Sequence, residues 1–494
     1  MNSIANAAGS ARRASALTLT AALLGAALSA TAPRPATAQD STRAPALPPQ
    51  DTTPRVPATS PTAVRASVAL PPAPGGPPPR ALTLGEAARL AARQSALAEA
   101  ARYRVDEAQA RATQARSALL PSLRATASDG KRTFNTASFG LPLPGVPPTG
   151  AVIGPVRNVD VRGRVEANVL DVAAVQRLRA ARTQVRSTSA EATNSAEQAA
   201  QIAAGAYLRT LRADELVRAR SADSALAFDL LQIAGHQLTA GVGVGLDVTR
   251  AQAQLAQARA QLIAARNESD RAHLDLLRSL GLTLETSVAL SDSLAGLATV
   301  DSLPSETEAI ARALRARPDV RAADEQLAAA RQQVSATRAE RLPTLGVFGD
   351  DGGNGLNYGH LLNTYTYGVQ VSVPVFEGFR REGRVEEQSA VARELDVRAR
   401  DIRQQASIEV RGALLDLASA REQVDATRER LRLADQELAQ ARDRFRAGVA
   451  GNADVITASI NLNTARNSVI DALTAYQNAR VSLARATGSV TELP

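Results

Sequence analysis

Cysteine and tryptophan are both absent from this 494-residue chain. Without a thiol there is no disulfide framework, no thiolate nucleophile and no lipid-modified cysteine behind a leader. Aromatic residues make up only 3%, so the large side chains that fill thick cores are missing and any core must be thin. Lysine is confined to Lys131, and arginine supplies the rest of the basic charge. Beyond the N-terminal leader no run of 18 or more apolar residues exists, which excludes a membrane-spanning helix there. If this chain enters a membrane, strands carry it.

What is present is alanine, leucine, arginine, glutamine and glutamate, the usage of long and closely packed helices. The formal charge of +8 raises the question of nucleic acid, but Arg12, Arg13 and Arg34 lie in the leader. The other arginines alternate with acids along helical stretches such as REQVDATRERLRLADQE, without a basic block or aromatics to stack bases. They read as solvated helix faces, and no nucleic-acid partner is expected.

Residues 1–38 have a basic start at Arg12 and Arg13, an apolar run from Ala14 to Leu28, and Ala36-Thr37-Ala38 as a cleavage site, the pattern of a secretory signal. Residues 39–80, rich in Pro, Ala, Ser and Thr and ending in PPAPGGPPPR, read as a disordered or extended linker.

The remainder is written twice. Ala240 to Arg259, AGVGVGLDVTRAQAQLAQAR, returns as Ala447 to Arg466, AGVAGNADVITASINLNTAR, and one spacing also pairs Gly205 with Gly412 and Gly281 with Gly488. A second spacing pairs Ala108 with Ala330, Arg116 with Arg338 and Pro121 with Pro343. So long a period excludes solenoid arrays and implies duplication of a whole module. The copies are 81–285 and 305–494, with 286–304 as the linker between them.

Each copy opens on a helix. Thr83 is its N-cap in the first, with Glu86 as capping-box partner, and the helix is expected to run unbroken to Leu120 before Pro121. The second copy is expected to do the same from Ser305 to Leu342.

The period then changes to two. In Val159 to Leu170, Val161 and Val165 share one face while Asp160, Arg162, Arg164 and Glu166 share the other. In Tyr365 to Phe376, Tyr365, Tyr367, Val369, Val371 and Val373 oppose Gln370 and Ser372. The length and alternation fit outer-membrane barrel strands, with the first set facing lipid and the polar set facing a lumen. Each strand has an earlier partner, Ser122 to Thr133 or Thr344 to Gly349, across the Gly/Pro-rich loops SFGLPLPGVPPTGAVIGPVRN and DGGNGLNYGHLLN. Four strands are too few for a sandwich or for a barrel, whose smallest examples have about 8, so closure requires other copies of the chain.

Long helices follow, from about Val172 to Thr239 and from Gly378 to Arg446, each roughly 100 Å at the α-helical rise. Gly241 and Gly448 turn the chain at their ends. Half-length helices return to Gly281 and Gly488.

These residues resemble the TolC-type outer-membrane efflux proteins over Leu82 to Gly488. LTLGEAARLA, ARSALLPSL, AERLPTLGV, YGVQVSVPVFEGFRR and the two copies of A-G-V-x4-D-V-x2-A carry the likeness, in order and spacing. The resemblance implies a mostly α fold with a small transmembrane β-barrel portion. Duplicated helical hairpins form an α-barrel, four strands come from each chain, and homotrimerisation closes the barrel. It implies an outer-membrane protein with a large periplasmic part, embedded in lipid. The role would be a passive exit duct docked to a periplasmic adaptor (membrane fusion) protein and, through it, to an inner-membrane pump, for efflux or type I secretion.

Carried onto this chain, the periplasmic tips hold Gly241, Asp247, Phe445, Gly448 and Asp454 as gate candidates. Phe445 stands where some members carry a tyrosine, Ala450 where an arginine occurs and Thr457 where a second acid occurs, which argues against a gate held by a dense polar network. The plainer reading of Asp247 and Asp454 is that they cap the returning helices and suit the dipole; both roles can coexist.

No nucleophile motif, phosphate loop or isolated carboxylate pair supports catalysis. His236, His273 and His360 lack metal-ligand spacing, and no metal or cofactor is expected. The alternative, a periplasmic adaptor or a structural helical-hairpin protein without a pore, would not need two strand pairs with lipid-compatible faces.

Overall fold

The computed structural model describes residues 80–139, 147, 149–297, 304–447, 449 and 451–493. The expected signal and nearly all of the linker, Gly448, Ala450 and part of the first strand-connecting loop lie outside the described residues. The elements are β1 (Arg80–Leu82), α1 (Leu84–Gln94), α2 (Ala96–Ser117), β2 (Ser122–Asn135), β3 (Val152–Leu170), α3 (Val172–Thr239) and α4 (Gly245–Leu280). They continue with β4 (Val288–Leu290), α5 (Glu306–Ala316), α6 (Pro318–Ala339), β5 (Thr344–Gly355), β6 (Leu362–Ser372), α7 (Arg380–Arg446) and α8 (Asn452–Thr487). The series helix, helix, strand, strand, long helix, return helix occurs twice.

The capping box forms as expected: Glu86 N donates to Thr83 Oγ1 at 3.2 Å and Thr83 N to Glu86 Oε2 at 3.0 Å. The helix it starts is not continuous. Ser95 takes an extended backbone and its hydroxyl accepts from Ala98 N, so one expected helix is two, α1 and α2. In the second copy Arg317 makes the break. Pro318 disfavours helical backbone in the residue before it and then serves as the first helical residue of α6.

The helices pack through small side chains, which lets their axes approach closely. Ala200, Ala203, Ala204 and Ala206 of α3 are buried with Leu208, Leu211, Leu276 and Leu473 in the largest cluster. Ala227, Leu255 and Ala258 join α3 to α4, and Ala323, Leu327 and Ala399 join α6 to α7. Leu226, Leu438 and Leu462 bring α3, α7 and α8 together.

An element absent from the sequence reading ties the module waist. β1 and β4, three residues each, pair in parallel, with β4 inside the stretch read as an inter-repeat linker. Tyr207, fully buried on α3, places its hydroxyl 2.9 Å from both Leu82 O and Asp292 Oδ2, and Asp292 Oδ2 also accepts from Leu84 N at 2.8 Å. Burial first, and the Asp292 carboxylate second, push the phenol above its ordinary range. Tyr207→Phe keeps the ring and removes the side-chain hydroxyl shared by α3, β1 and the loop after β4. Leu82 O keeps Ser291 and Asp292 Oδ2 keeps Leu84 N as donors, so the melting temperature measured by helical circular dichroism should fall by the loss of hydrogen bonds alone, about 0.5–1.5 kcal/mol each.

Candidate functional site

The four long strands form one antiparallel sheet in the order β2-β3-β5-β6. Its register decides which side chains share a face. Leu123, Val165, Gly349 and Tyr367 stand in one row, and Ala167, Val347 and Val369 in the next. The opposite face carries the rows Arg124, Arg164, Asp350, Thr366 and Thr126, Arg162, Gly352, Thr364. Val161, Val165, Tyr365, Tyr367, Val369 and Val371 therefore lie on one face of a single sheet, while Asp160, Arg162, Arg164, Glu166, Gln370 and Ser372 lie on the other. Strands from the two copies thus agree in which side is apolar.

Val373 departs from its expected position. β6 ends at Ser372, because Pro374 has no N–H to continue a ladder and keeps the residues around it out of the pairing. β3 and β5 are longer than expected, starting at Val152 and ending at Gly355: glycine-rich segments read as loops still pair through their backbones.

The polar face is a network of opposite charges. Arg162 grips Asp160 with Nε at 2.8 Å and Nη2 at 2.6 Å, and reaches Asp350 with Nη1 at 3.0 Å. Arg164 pairs with Glu166 at 2.5 Å and lies over the Phe348 ring. Asp350 escaped the sequence reading because it falls one residue past the strand drawn there; continuing the alternation beyond Gly349 would have found it. Mixed signs this close favour neither cations nor anions strongly.

The apolar face has borders. Away from the helices, Arg157 binds Asp129 through two hydrogen bonds, and Tyr358 donates to the same carboxylate at 3.1 Å. Tyr365 and Tyr367 stack, with ring centroids 6.3 Å apart. At about 3.3 Å per residue, the run Val159 to Val169 is about 33 Å long.

At the other end of the helices, α3 closes on Gly241, whose φ of +75° is the left-handed conformation that favours glycine. Gly243 N and Val242 N both donate to Gln237 O. Asp247 and Asp454 lie in the first turns of α4 and α8, where a carboxylate suits the dipole, but neither is a cap. The caps are Val244 and Gly451, without side-chain hydrogen bonds, and Asp247 has Arg250 at 3.8 Å.

Phe445 is only 4% exposed and packs among Leu438, Val455, Ala458 and Leu462. The aromatic ring is a core anchor of the second tip rather than a side chain projecting from it. A residue that joins the tips was missed: fully buried Asn452 donates from Nδ2 to Asp247 O at 3.1 Å, beside a longer contact from Gln237 Nε2 to Phe445 O at 3.5 Å. Its counterpart in the first copy is Gly245, so only a position-by-position comparison of the repeats would have singled it out.

Two polar ties lie further along the hairpins. Asp214 of α3 accepts from Ser269 at 2.6 Å and meets His273 Nε2 of α4 at 3.3 Å. The carboxylate raises the His273 pKa; burial works against the Asp214 anion, but its two partners hold its pKa below the ordinary value. Asp223, buried between Arg220 and Arg466, goes the other way, because burial outweighs both cations. No group of side chains suited to a metal ion occurs among the described residues.

The family model for outer membrane efflux proteins matches residues 88–282 and 309–489, most of both copies. The chain belongs to the outer membrane efflux protein family. It is 28% identical over 327 residues to the outer membrane efflux protein BepC of Brucella suis biovar 1, covering 63% of this chain and 68% of BepC. Identity to the alkaline protease secretion protein AprF of Pseudomonas aeruginosa is 30% over 179 residues, 35% of this chain and 37% of that protein. The fold is that of the Campylobacter jejuni CmeC outer membrane channel, with a TM-score of 0.69 at 18% identity over 82% of this chain and 85% of CmeC.

Asn452→Ala removes the bond from α8 to Asp247 O and leaves the Gln237–Phe445 contact in place. Amide hydrogen exchange over residues 245–250 should accelerate, in line with about 1 kcal/mol for one lost hydrogen bond, while exchange around Tyr207 stays unchanged.

Proposed function

We propose that this protein is the outer-membrane exit duct of a tripartite efflux or type I secretion system. Three copies would close a barrel from their sheets and a periplasmic tunnel from their helices. The observation that carries this reading is the sheet: one face bears the valine and tyrosine rows, with Asp351 the acid among them between Gly163 and Tyr365, the other face is ionic, and both outer edges are unpaired. Among the described residues β2 and β6 each have a single neighbour, so β6 of one copy is free to pair with β2 of the next. The helical part has matching free sides, where Ile263 of α4 and Leu415 of α7 are exposed.

In this reading the apolar row from Val161 to Tyr367 faces lipid and the Asp160–Arg162–Asp350 network lines the lumen. Gly241, Asp247 and Asp454 sit at the periplasmic tips, where an adaptor protein docks and links the duct to an inner-membrane pump. Residues 1–38 act as the export signal and residues 39–80 as a linker ahead of the first copy. Transport is passive, so the pump selects the substrate and the duct needs neither catalytic group nor cofactor. BepC is named for efflux and AprF for protease secretion; one outer component serves either chemistry. An adaptor or a purely structural hairpin would have no use for the two-faced sheet.

Adjacent residues on opposite faces of β6 test this. Val369→Arg should reduce assembled oligomer in the outer-membrane fraction, because a guanidinium on the lipid face inside the apolar band costs up to about 2–4 kcal/mol at mid-bilayer and less toward its edge. Gln370→Arg should assemble like the parent. Equal yields from the two variants would contradict the face assignment.

A further inference from the structure

The two long helices start differently. Asp171 caps α3, accepting from Ala174 N at 2.8 Å, and its carboxylate supplies the anion that a helix N-terminus favours. The equivalent position before α7 is Gly378, and α7 begins from Phe379 with no side-chain cap. Its opening residues carry Arg380, Arg381 and Arg384 against one acid of the first turn, Glu382.

One carboxylate serves all three. Glu377 lies 3.5 Å from Arg380, 3.5 Å from Arg381 and 3.7 Å from Arg384, each longer than a good hydrogen bond. Glu340 takes Arg384 at 2.7 Å, and the nearby Glu382 is matched by Arg341 at 3.5 Å. That leaves Arg380 and Arg381 sharing a single acid. The Arg381 side chain is only 8% exposed, yet its Nε and Nη2 have no hydrogen-bond partner, and neither do Arg384 Nε and Glu377 Oε2. A guanidinium so desolvated, whose single carboxylate stands 3.5 Å away, leaves donors that a further anion would satisfy.

The surroundings indicate which anion. The cluster lies at the helical end of the apolar sheet face, just past Val371. Phe376 and Phe379 there are 74% and 73% exposed and pack edge to face at 5.7 Å. Phe379 is held at a φ of +61°, the only non-glycine residue with positive φ among those described, a strained conformation that recurs at ligand sites. Exposed aromatics beside arginines at the end of an apolar band are the composition of a membrane–water interface.

We propose that the first turn of α7 binds the phosphate of an anionic phospholipid headgroup, with Arg380, Arg381 and Arg384 as donors and Phe376 and Phe379 against the acyl chains. The proposal rests on the outer-membrane reading above. The same phosphate chemistry could come from free inorganic phosphate, so the test separates the two.

The full chain, purified in micelles doped with phosphatidylglycerol or with phosphatidylcholine, is examined by native mass spectrometry for retained lipid. The parent should retain phosphatidylglycerol about tenfold better than phosphatidylcholine, and the Arg381→Gln/Arg384→Gln variant should lose that preference. Glu377→Gln, which removes the competing carboxylate, should retain phosphatidylglycerol more strongly, and it decides the matter if the double variant does not assemble. Excess inorganic phosphate should leave the lipid bound. Equal retention of both lipids by the parent, an unchanged preference in the double variant, or unchanged or weaker retention by Glu377→Gln would overturn the proposal. So would displacement by inorganic phosphate. Partition of the parent into detergent is scored separately: its failure would sink the membrane reading, whereas partition without lipid preference sinks this site alone.

Discussion

Backbone hydrogen bonding at the sheet edges governs everything else in this molecule. A strand in hydrocarbon cannot leave a row of N–H and C=O groups unpaired, since each would cost several kcal/mol. The chain builds four strands, two from each copy of its module, and leaves β2 and β6 with open outer edges. The apolar face asks for lipid, and the edges ask for further copies. Assembly is therefore a condition of using the sheet in a membrane, and the duplicated module halves the number of chains needed to reach it.

The helices satisfy the same condition by other means. With 3% aromatics the module cannot build a thick core, and it replaces bulk by close approach: alanines bury along α3, α6 and α8, and polar ties such as Thr183 with Gln332 and Ser187 with Ala322 O fix the register of neighbouring helices. The waist is the exception. There Tyr207, Asp292 and the two short parallel strands tie the first copy to the segment after it, and Leu473 and Tyr476 of the second copy share the same buried cluster. Rigid columns anchored at a waist suit a wall better than a globule.

Much of this was legible in the chain itself. The long helices Val172–Thr239 and Arg380–Arg446 could be read nearly to the residue, because glycines and a change of period punctuate them. The capping box at Thr83 and the two strand faces followed from spacing alone. What stayed hidden depends on contacts distant in sequence. Ser95 and Arg317 break their helices where the waist needs a bend, and three-residue strands such as Val288–Leu290 have too little pattern to be seen. Glycine-rich residues 350–355 pair as strand because the neighbouring strands supply the order that their own side chains do not. At the tips, the conspicuous Phe445 turned inward, and the inconspicuous Asn452 bonds across to the other copy.

The central claim is that several copies close around an aqueous path. Electron microscopy of the full-length protein, extracted in detergent from the envelope fraction, tests it most directly. The account predicts a threefold, hollow particle, with a helical tube of roughly 100 Å set by the rise of α3 and α7 below a short barrel. A monomeric or water-soluble particle would contradict it, because the sheet edges would then be satisfied without lipid and without a pore.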